Sequence, residues 1–159
     1  MHYDIAIIGY GPVGAMAANM FGSSGLKIVV IEPKKEIWDI PRAVALDGQA
    51  QRIFQSCGIS NNIPVKPIDG LTFINKKGQQ IVYVDFTDHS TPNGYSETVG
   101  FSQPNLERTL REQAESYKNI TFKLGSSLSN LVATENNNEL TVMNNVTNET
   151  EVISSKYLL

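Results

Sequence analysis

Apolar runs and helical patterns alternate along much of the chain. Residues 3–8 and 27–31 form two almost entirely apolar runs, as is typical of parallel strands buried on both faces. A helical pattern over 12–23 lies between them, and another over 104–117 precedes a third apolar run at 120–124. This order predicts an α/β fold with a parallel sheet and right-handed crossovers.

The remaining segments predict antiparallel structure. Residues 71–86 alternate around Lys77-Gly78, which indicates a β-hairpin, whereas the polar residues 87–100 predict a surface loop. Short apolar stretches separated by Asn-rich turns predict a three-stranded antiparallel β-meander at 129–134, 139–143 and 151–158. Because the last residues stop in what should be mid-strand, we expect the chain to be truncated.

Apolar residues recur at helical spacing within two segments. In the first helix they are Val13, Ala17, Met20 and Phe21. A further helix, with Asp47 as its N-cap, is predicted to bury Ala50, Ile53, Phe54 and Cys57. We expect residues 1–60 and 101–159 to form the core of the N-terminal part of one domain, and residues 68–100 to be an insertion.

Composition narrows the range of partners. Hydrophobic residues make up 41% of the 159 residues and the net charge is −3, so a globular protein without a basic nucleic-acid surface is expected. No apolar run is long enough to span a membrane, and the single cysteine, Cys57, excludes an internal disulfide and a multi-cysteine metal site. We therefore expect a cytoplasmic protein without a metal site; a homodimer is left open. Neither His2 nor His89 lies where a general base or a ligand is expected.

A glycine-rich loop follows the first predicted strand directly. Its sequence, Gly9-Tyr10-Gly11-Pro12-Val13-Gly14, has the spacing of a dinucleotide-binding loop. The first glycine permits the tight turn, the second lets the backbone approach a pyrophosphate, and the third lets the helix pack closely on the strand. The N-terminal end of the helix then points its free N–H groups and its positive dipole end at the phosphates.

An acidic residue closes the second predicted strand. Glu32 lies 18 residues after Gly14, where this fold places a carboxylate that accepts hydrogen bonds from the adenosine ribose hydroxyls. A carboxylate there also disfavours a 2′-phosphate, so FAD or NAD fits better than NADP. The alternative, an ordinary strand, turn and helix with a solvent-exposed Glu32, stays open on the sequence.

Two further segments resemble a known family. They are Pro41-Arg42-Ala43-Val44-Ala45-Leu46-Asp47 and the stretch from Phe101 to Leu110, which holds Gln103 at the start of the third helix. Together with the glycine loop and Glu32, they resemble the N-terminal part of the class A flavoprotein monooxygenases, the FAD-dependent aromatic hydroxylases. Within that family the stretch 41–47 and the following residues 52–59, Arg-Ile-Phe-Gln-Ser-Cys-Gly-Ile, are most similar to hydroxylases of 3-(3-hydroxyphenyl)propionate and related phenols. The resemblance implies a Rossmann-like FAD-binding fold of the glutathione-reductase type.

The resemblance also implies FAD as the cofactor, with Arg42 near its pyrophosphate and Gln103 at its ribityl chain. An arginine binds phosphate oxygens bidentately, and an uncharged amide suits a polyol. Two alternatives stay open: Arg42 as a surface ion-pair partner of an acidic side chain (Glu32, Glu36 or Asp39), and Gln103 as a helix cap. The predicted cofactor contacts are Gly9, Gly11, Pro12, Val13, Gly14, Glu32, Arg42 and Gln103.

The partners implied for the parent enzyme are NADH or NADPH, O2 and a small aromatic substrate. The later Asp-Gly and Gly-Asp motifs of the family and most of its substrate domain have no counterpart in this sequence. We therefore expect this chain to be inactive alone, and its catalytic residues stay unknown. Two alternatives stay open. The parent enzyme could share the fold but catalyse a different reaction, as a halogenase, an epoxidase or an amine oxidase. The chain could instead be a stand-alone nucleotide-binding domain without catalytic activity.

Overall fold

A computed structural model describes residues 1–87 and 91–159, which form two compact units. The first unit contains 1–39 and 107–159, and the second contains 40–106. The prediction made for His89 lies outside the described residues.

The helices and strands follow the predicted order, with three additional short strands in the second unit. In chain order they are β1 (His2–Ile8), α1 (Pro12–Gly22), β2 (Ile28–Glu32), β3 (Ala45–Asp47), α2 (Gly48–Ser56), a 3-10 helix (Ser60–Asn62), β4 (Val65–Pro67), β5 (Gly70–Ile74), β6 (Gln80–Asp85), β7 (Thr98–Phe101), α3 (Gln103–Glu115), β8 (Ile120–Leu124), β9 (Ser126–Ala133), β10 (Asn138–Asn144) and β11 (Thr150–Leu158).

The first unit is built on a six-stranded sheet with the order β8-β2-β1-β11-β10-β9. Strand β2 pairs in parallel with β1 and β8, and β11 pairs in parallel with β1. The other pairs, β11 with β10 and β10 with β9, are antiparallel. The predicted α/β fold, with a parallel sheet and a C-terminal meander, is confirmed.

Strands β1 and β2 are continuous apolar runs in the sequence because side chains on both of their faces are buried. Helix α1 packs against both strands. The meander strands contribute to a second cluster that contains Tyr3, Ala6, Val29, Ile31, Leu140, Val142 and Ile153. Because the central strands are covered by both sets of contacts, hydrophobic side chains are favoured on both of their faces.

The buried face of α1 is not formed by the apolar residues that mark its helical period. The side chains of Val13 and Met20 are 85% and 45% exposed. The buried residues are instead Ala15, Met16, Ala18, Asn19 and Gly22. The helix approaches the strand so closely that mostly small side chains fit between them, and larger ones face outward.

Asn19 ties α1 to α3. Its Nδ2 atom donates to the carbonyl oxygens of Ala15 and Leu110, both at 2.8 Å. Three apolar residues of α3, Leu106, Leu110 and Ala114, are buried. The buried amide of Asn19 therefore links α1 to α3 at Leu110.

The second unit holds two small antiparallel sheets. Strands β3, β7 and β4 form one sheet in that order, and the predicted hairpin forms the other from β5 and β6. The prediction that 87–100 is entirely loop was wrong at its end, because Thr98–Phe101 is β7. Strands of only three or four residues are too short to show the alternation that identifies a strand.

For helix α2, the predicted N-cap is correct, but the predicted buried face is not. The Asp47 side chain accepts a hydrogen bond from the Ala50 N–H at 2.8 Å, so the N-cap is confirmed. Phe54 is buried, but Ile53 is 40% exposed and Cys57 is only partly buried. The prediction that all four apolar positions form a buried face was therefore wrong.

Within 1–87 and 91–159, no helix is both long and apolar enough to cross a membrane. The same residues contain no group of three or more His, Cys, Asp and Glu side chains suited to hold a metal ion.

Candidate cofactor site

The glycine loop turns the chain from β1 into α1. Gly9 has a φ of +101°, in the region that glycine adopts without steric cost. Its N–H donates to the carbonyl oxygen of Ile31 at 2.8 Å, which anchors the turn to β2. The first glycine therefore has the role expected from the sequence.

Gly11 and Gly14 are glycines for different reasons. A Cβ atom placed on Gly14 would lie 2.0 Å from the carbonyl oxygen of Gly9 and 3.4 Å from Cγ2 of Ile7. Among the residues that the structure describes, a Cβ atom on Gly11 would meet nothing within 4 Å, and the Gly11 φ of −71° is one that any residue adopts. The fold therefore requires glycine at position 14, whereas no described residue requires it at position 11. Open space at Gly11 fits a backbone that a ligand must approach closely.

The first turn of α1 begins immediately at this open position. Gly11 is the N-cap, Pro12 begins the helix, and the Ala15 N–H donates to the Gly11 carbonyl oxygen at 2.8 Å. Helix geometry gives the N–H groups of Val13 and Gly14 no intrahelical acceptor. Pro12 has a suitable fixed φ and no N–H to satisfy. This end of α1 can therefore donate to an anion.

Glu32 lies beside the loop at the end of β2. Its Oε2 atom accepts from the Tyr10 N–H at 2.7 Å, and its Oε1 atom accepts from the Lys34 N–H at 2.9 Å. The half-buried carboxylate is thus fixed against the glycine loop. Each carboxylate oxygen can accept more than one hydrogen bond, so Glu32 retains capacity for hydroxyl donors.

Tyr10 is a residue of the site that the sequence analysis missed. Its side chain is fully buried, with its ring centroid 5.1 Å from that of Phe122. Burial raises the pKa of the Tyr10 phenol well above its usual value; Glu115 acts in the same direction and Arg111 opposes it. The hydroxyl therefore stays protonated and donates to the Arg111 carbonyl oxygen at 3.3 Å.

Arg111, on α3, was also missed. Its Nε atom donates to the Tyr10 carbonyl oxygen at 3.1 Å, and its guanidinium lies 4.6 Å from the centre of the Tyr10 ring. An Nη2 atom donates to Oε1 of Glu107 at 2.7 Å, and both side chains are buried. The i, i+4 spacing of Glu107 and Arg111 indicates a helix-surface ion pair, but it does not indicate a contact with the glycine loop.

Gln103 and Arg42 come together in the second unit. The buried amide of Gln103, 4% exposed, accepts at Oε1 from the N–H groups of Arg42 at 2.8 Å and Ala43 at 2.9 Å. These two bonds occupy both lone pairs of Oε1, so this atom does not cap α3. The Arg42 residue itself is exposed. Gln103 therefore fixes the backbone from which the Arg42 side chain extends.

Comparison with known proteins identifies the family. The FAD binding domain family matches residues 2–159. The chain is 34% identical over 128 residues to the 3-(3-hydroxy-phenyl)propionate/3-hydroxycinnamic acid hydroxylase of Paraburkholderia xenovorans (strain LB400), covering 79% of this chain and 20% of that protein. It is 27% identical over 159 residues to the enzyme of the same name from Escherichia coli O8 (strain IAI1), covering 98% of this chain and 28% of that protein.

Solved structures share the fold. The flavin-dependent monooxygenase PieE, in complex with FAD and substrate, superposes with a TM-score of 0.84 at 19% identity, over 99% of this chain and 30% of that one. The p-nitrophenol 4-monooxygenase PnpA from Pseudomonas putida DLL-E4 superposes with a TM-score of 0.86 at 16% identity, over 99% of this chain and 40% of that one.

These findings confirm the predicted family, fold and cofactor. The chain spans 20–28% of the length of the two curated relatives. Nearly all of the chain lies within the family match. The chain therefore belongs to the FAD binding domain family and is the type of FAD-binding domain that aromatic-hydroxylase-like flavin monooxygenases contain.

Proposed function

We propose that this domain binds FAD for a monooxygenase that hydroxylates a phenolic substrate, with O2 and NADH or NADPH as co-substrates. The observation that carries the proposal is the open side of Gly11 beside a carboxylate that is fixed by the Tyr10 N–H. A pyrophosphate needs the first feature and an adenosine ribose needs the second. Similarity to the 3-(3-hydroxy-phenyl)propionate/3-hydroxycinnamic acid hydroxylases of Paraburkholderia and Escherichia supports the phenolic substrate class.

The residues of the first unit would hold the AMP half of FAD. The N–H groups at the start of α1 would donate to the pyrophosphate, and the positive end of the helix dipole would favour its charge. Glu32 would accept from the ribose hydroxyls. For Arg42 and Gln103, contacts with the pyrophosphate region and the ribityl chain are proposed from the resemblance described above.

Bound FAD supplies the redox chemistry with O2, which amino-acid side chains do not provide. The residues of this chain bind and orient the AMP half of the cofactor. We assign no acid or base for ionising a phenol to this chain. The proposed catalytic contribution of the domain is therefore the placement of FAD.

Ligand titration tests the proposal. We expect the purified chain to bind FAD with a stoichiometry of one, measured by calorimetry and by the change in flavin fluorescence. ADP should bind because it carries the groups that the first unit recognises, and NADP should bind more weakly than NAD because Glu32 repels a 2′-phosphate. Absence of binding to FAD, NAD and ADP would overturn the nucleotide assignment.

Replacing Glu32 with alanine tests the ribose contact. Loss of a hydrogen bond to a charged group costs about 1.5–3 kcal/mol, so FAD affinity should fall roughly 10- to 100-fold. Titration of FAD into Glu32→Ala and into Glu36→Ala measures the difference. Glu36 is exposed in the loop that follows β2, so Glu36→Ala removes the same charge without touching the glycine loop. Equal FAD affinity in wild type and Glu32→Ala would remove Glu32 from the site.

A further inference from the structure

We infer that Arg111 and Tyr10 form a clamp that sets the direction of the Gly11 N–H and so prepares the glycine loop for a pyrophosphate. This inference rests on the proposed function and adds a positioning role for two residues outside the glycine pattern. Arg111 lies on α3, 101 residues from Tyr10 in sequence. Nothing in the glycine motif itself requires this arginine.

Arg111 fixes the orientation of the peptide that joins Tyr10 to Gly11. The carbonyl oxygen of this peptide accepts from Arg111 Nε at 3.1 Å. The described peptide bonds include no cis bond, and in a planar trans peptide the C=O and N–H point in opposite directions. The Gly11 N–H therefore points away from the buried guanidinium. Arg111 thus controls the direction of a donor that it does not touch.

Glu32 fixes the orientation of the preceding peptide, between Gly9 and Tyr10. Its N–H donates to Glu32 Oε2 at 2.7 Å, so its carbonyl oxygen points the opposite way. That oxygen is the atom that a Cβ on Gly14 would meet at 2.0 Å, which places it against the first turn of α1. Two successive peptide planes are therefore fixed, one by Glu32 and the other by Arg111.

The side chain of Tyr10 keeps the clamp rigid. Its ring is buried against Phe122 and the Arg111 guanidinium, and its hydroxyl donates to the Arg111 carbonyl oxygen. Arg111 therefore contacts Tyr10 through its own backbone, its guanidinium face and its Nε atom. A loop held this way loses little conformational entropy on binding, which favours affinity.

The chemistry of the clamp requires arginine rather than lysine. The planar guanidinium donates from Nε to Tyr10 while Nη2 donates to Glu107 at 2.7 Å. A lysine has one nitrogen on a flexible stem and cannot reproduce this fixed fork. The buried charge of Arg111 is paired with Glu107, so Arg111→Lys retains the charge pair and removes the geometry.

The test compares ligands with and without phosphates. Arg111→Lys should lower the affinity for FAD and for ADP by about tenfold, because one hydrogen bond to the pyrophosphate is misdirected. Adenosine, which has the ribose but no phosphate, should bind equally to the variant and to wild type. Calorimetry measures FAD and ADP, and ligand-observed NMR measures the weaker adenosine.

The control separates positioning from general destabilisation. Ile153→Val reduces packing in the cluster between the central strands and the meander, and it should lower the melting temperature without changing FAD affinity at temperatures where the chain is folded. Tyr10→Phe removes only the hydroxyl bond to the Arg111 carbonyl oxygen and should weaken FAD binding by roughly two- to threefold. It is the second test variant, used if Arg111→Lys does not fold.

The outcomes distinguish this inference from the proposed function. Wild-type protein that binds no FAD would contradict the proposed function. Wild-type protein that binds FAD with the same affinity as folded Arg111→Lys would overturn the clamp and leave the function standing. An equal loss of adenosine and ADP affinity would also overturn it, because the effect would then not depend on the phosphates. If Arg111→Lys does not fold, unchanged FAD affinity in Tyr10→Phe would overturn the clamp.

Discussion

Replacing Gly11 with valine should reduce FAD affinity at least 100-fold while the free energy of unfolding changes by less than about 1 kcal/mol. A Cβ atom at this position meets nothing within 4 Å in the described part of the chain, and the backbone is in a conformation that valine tolerates. The valine methyl groups would instead occupy the space that the pyrophosphate needs, so donors at the start of α1 could no longer reach it. Calorimetric FAD titration and chemical denaturation of the same preparation measure the two quantities.

Two comparisons make this result specific. Gly11→Ala adds a smaller group and should give an intermediate loss of affinity. Met20→Val places a valine on the exposed side of the same helix, away from the glycine loop, and should bind FAD as wild type does. If Gly11→Val bound FAD with unchanged affinity, the pyrophosphate would lie elsewhere. A large loss of stability would instead mean that position 11 serves the fold.

The central sheet could be predicted from the sequence because its signals are local and strong. Strands β1 and β2 are buried on both faces and therefore appear as continuous apolar runs. The apolar residues of α3 follow a simple helical period, and Leu106, Leu110 and Ala114 are buried. The apolar residues that mark the period of α1 are not the ones that are buried, because close packing on the strands selects mostly small side chains.

The strands of the second unit were beyond prediction for a different reason. Strand β7 pairs with β3 and β4, partners that are distant in sequence, and each of these strands is only three or four residues long. Such strands are stabilised by pairing across the sheet rather than by a local pattern. The hairpin was predicted because its strands are adjacent in sequence and joined by a turn at Gly78, which has a φ of +78°.

Some residues of the candidate site could be predicted from the sequence, and others could not. The glycines and Glu32 belong to one βαβ unit, so their spacing along the chain carries the information about their place in the fold. Arg111 and Tyr10 are brought together by the packing of α3, and the chain between them gives no period or motif that links them. The sequence therefore identified the groups expected to face the ligand, but not the groups that orient them.

Replacing Gly14 with alanine should have the opposite effect to a change at Gly11, because it should destabilise the fold. A methyl group at position 14 would lie 2.0 Å from the carbonyl oxygen of Gly9, a backbone atom that cannot move without reopening the turn after β1. Overpacking of this kind costs about 1–3 kcal/mol and sometimes more, whereas alanine gains only about 1 kcal/mol in helix propensity over glycine. Because the overlap is with a backbone atom, we take the upper end of this cost and expect a net loss of about 2 kcal/mol, measured by urea denaturation.

The matched control is Gly11→Ala, the same chemical change three residues earlier, where a Cβ atom meets none of the atoms of 1–87 and 91–159 within 4 Å. It should leave the urea midpoint of unfolding nearly unchanged. Relief of the overlap in Gly14→Ala would require the Gly9 carbonyl to rotate, and because that peptide also carries the N–H bonded to Glu32, the carboxylate would lose its fixed position. FAD affinity should therefore fall together with stability. A Gly14→Ala variant as stable as wild type would show that α1 can withdraw from β1, and the close contact between them would then not explain the third glycine.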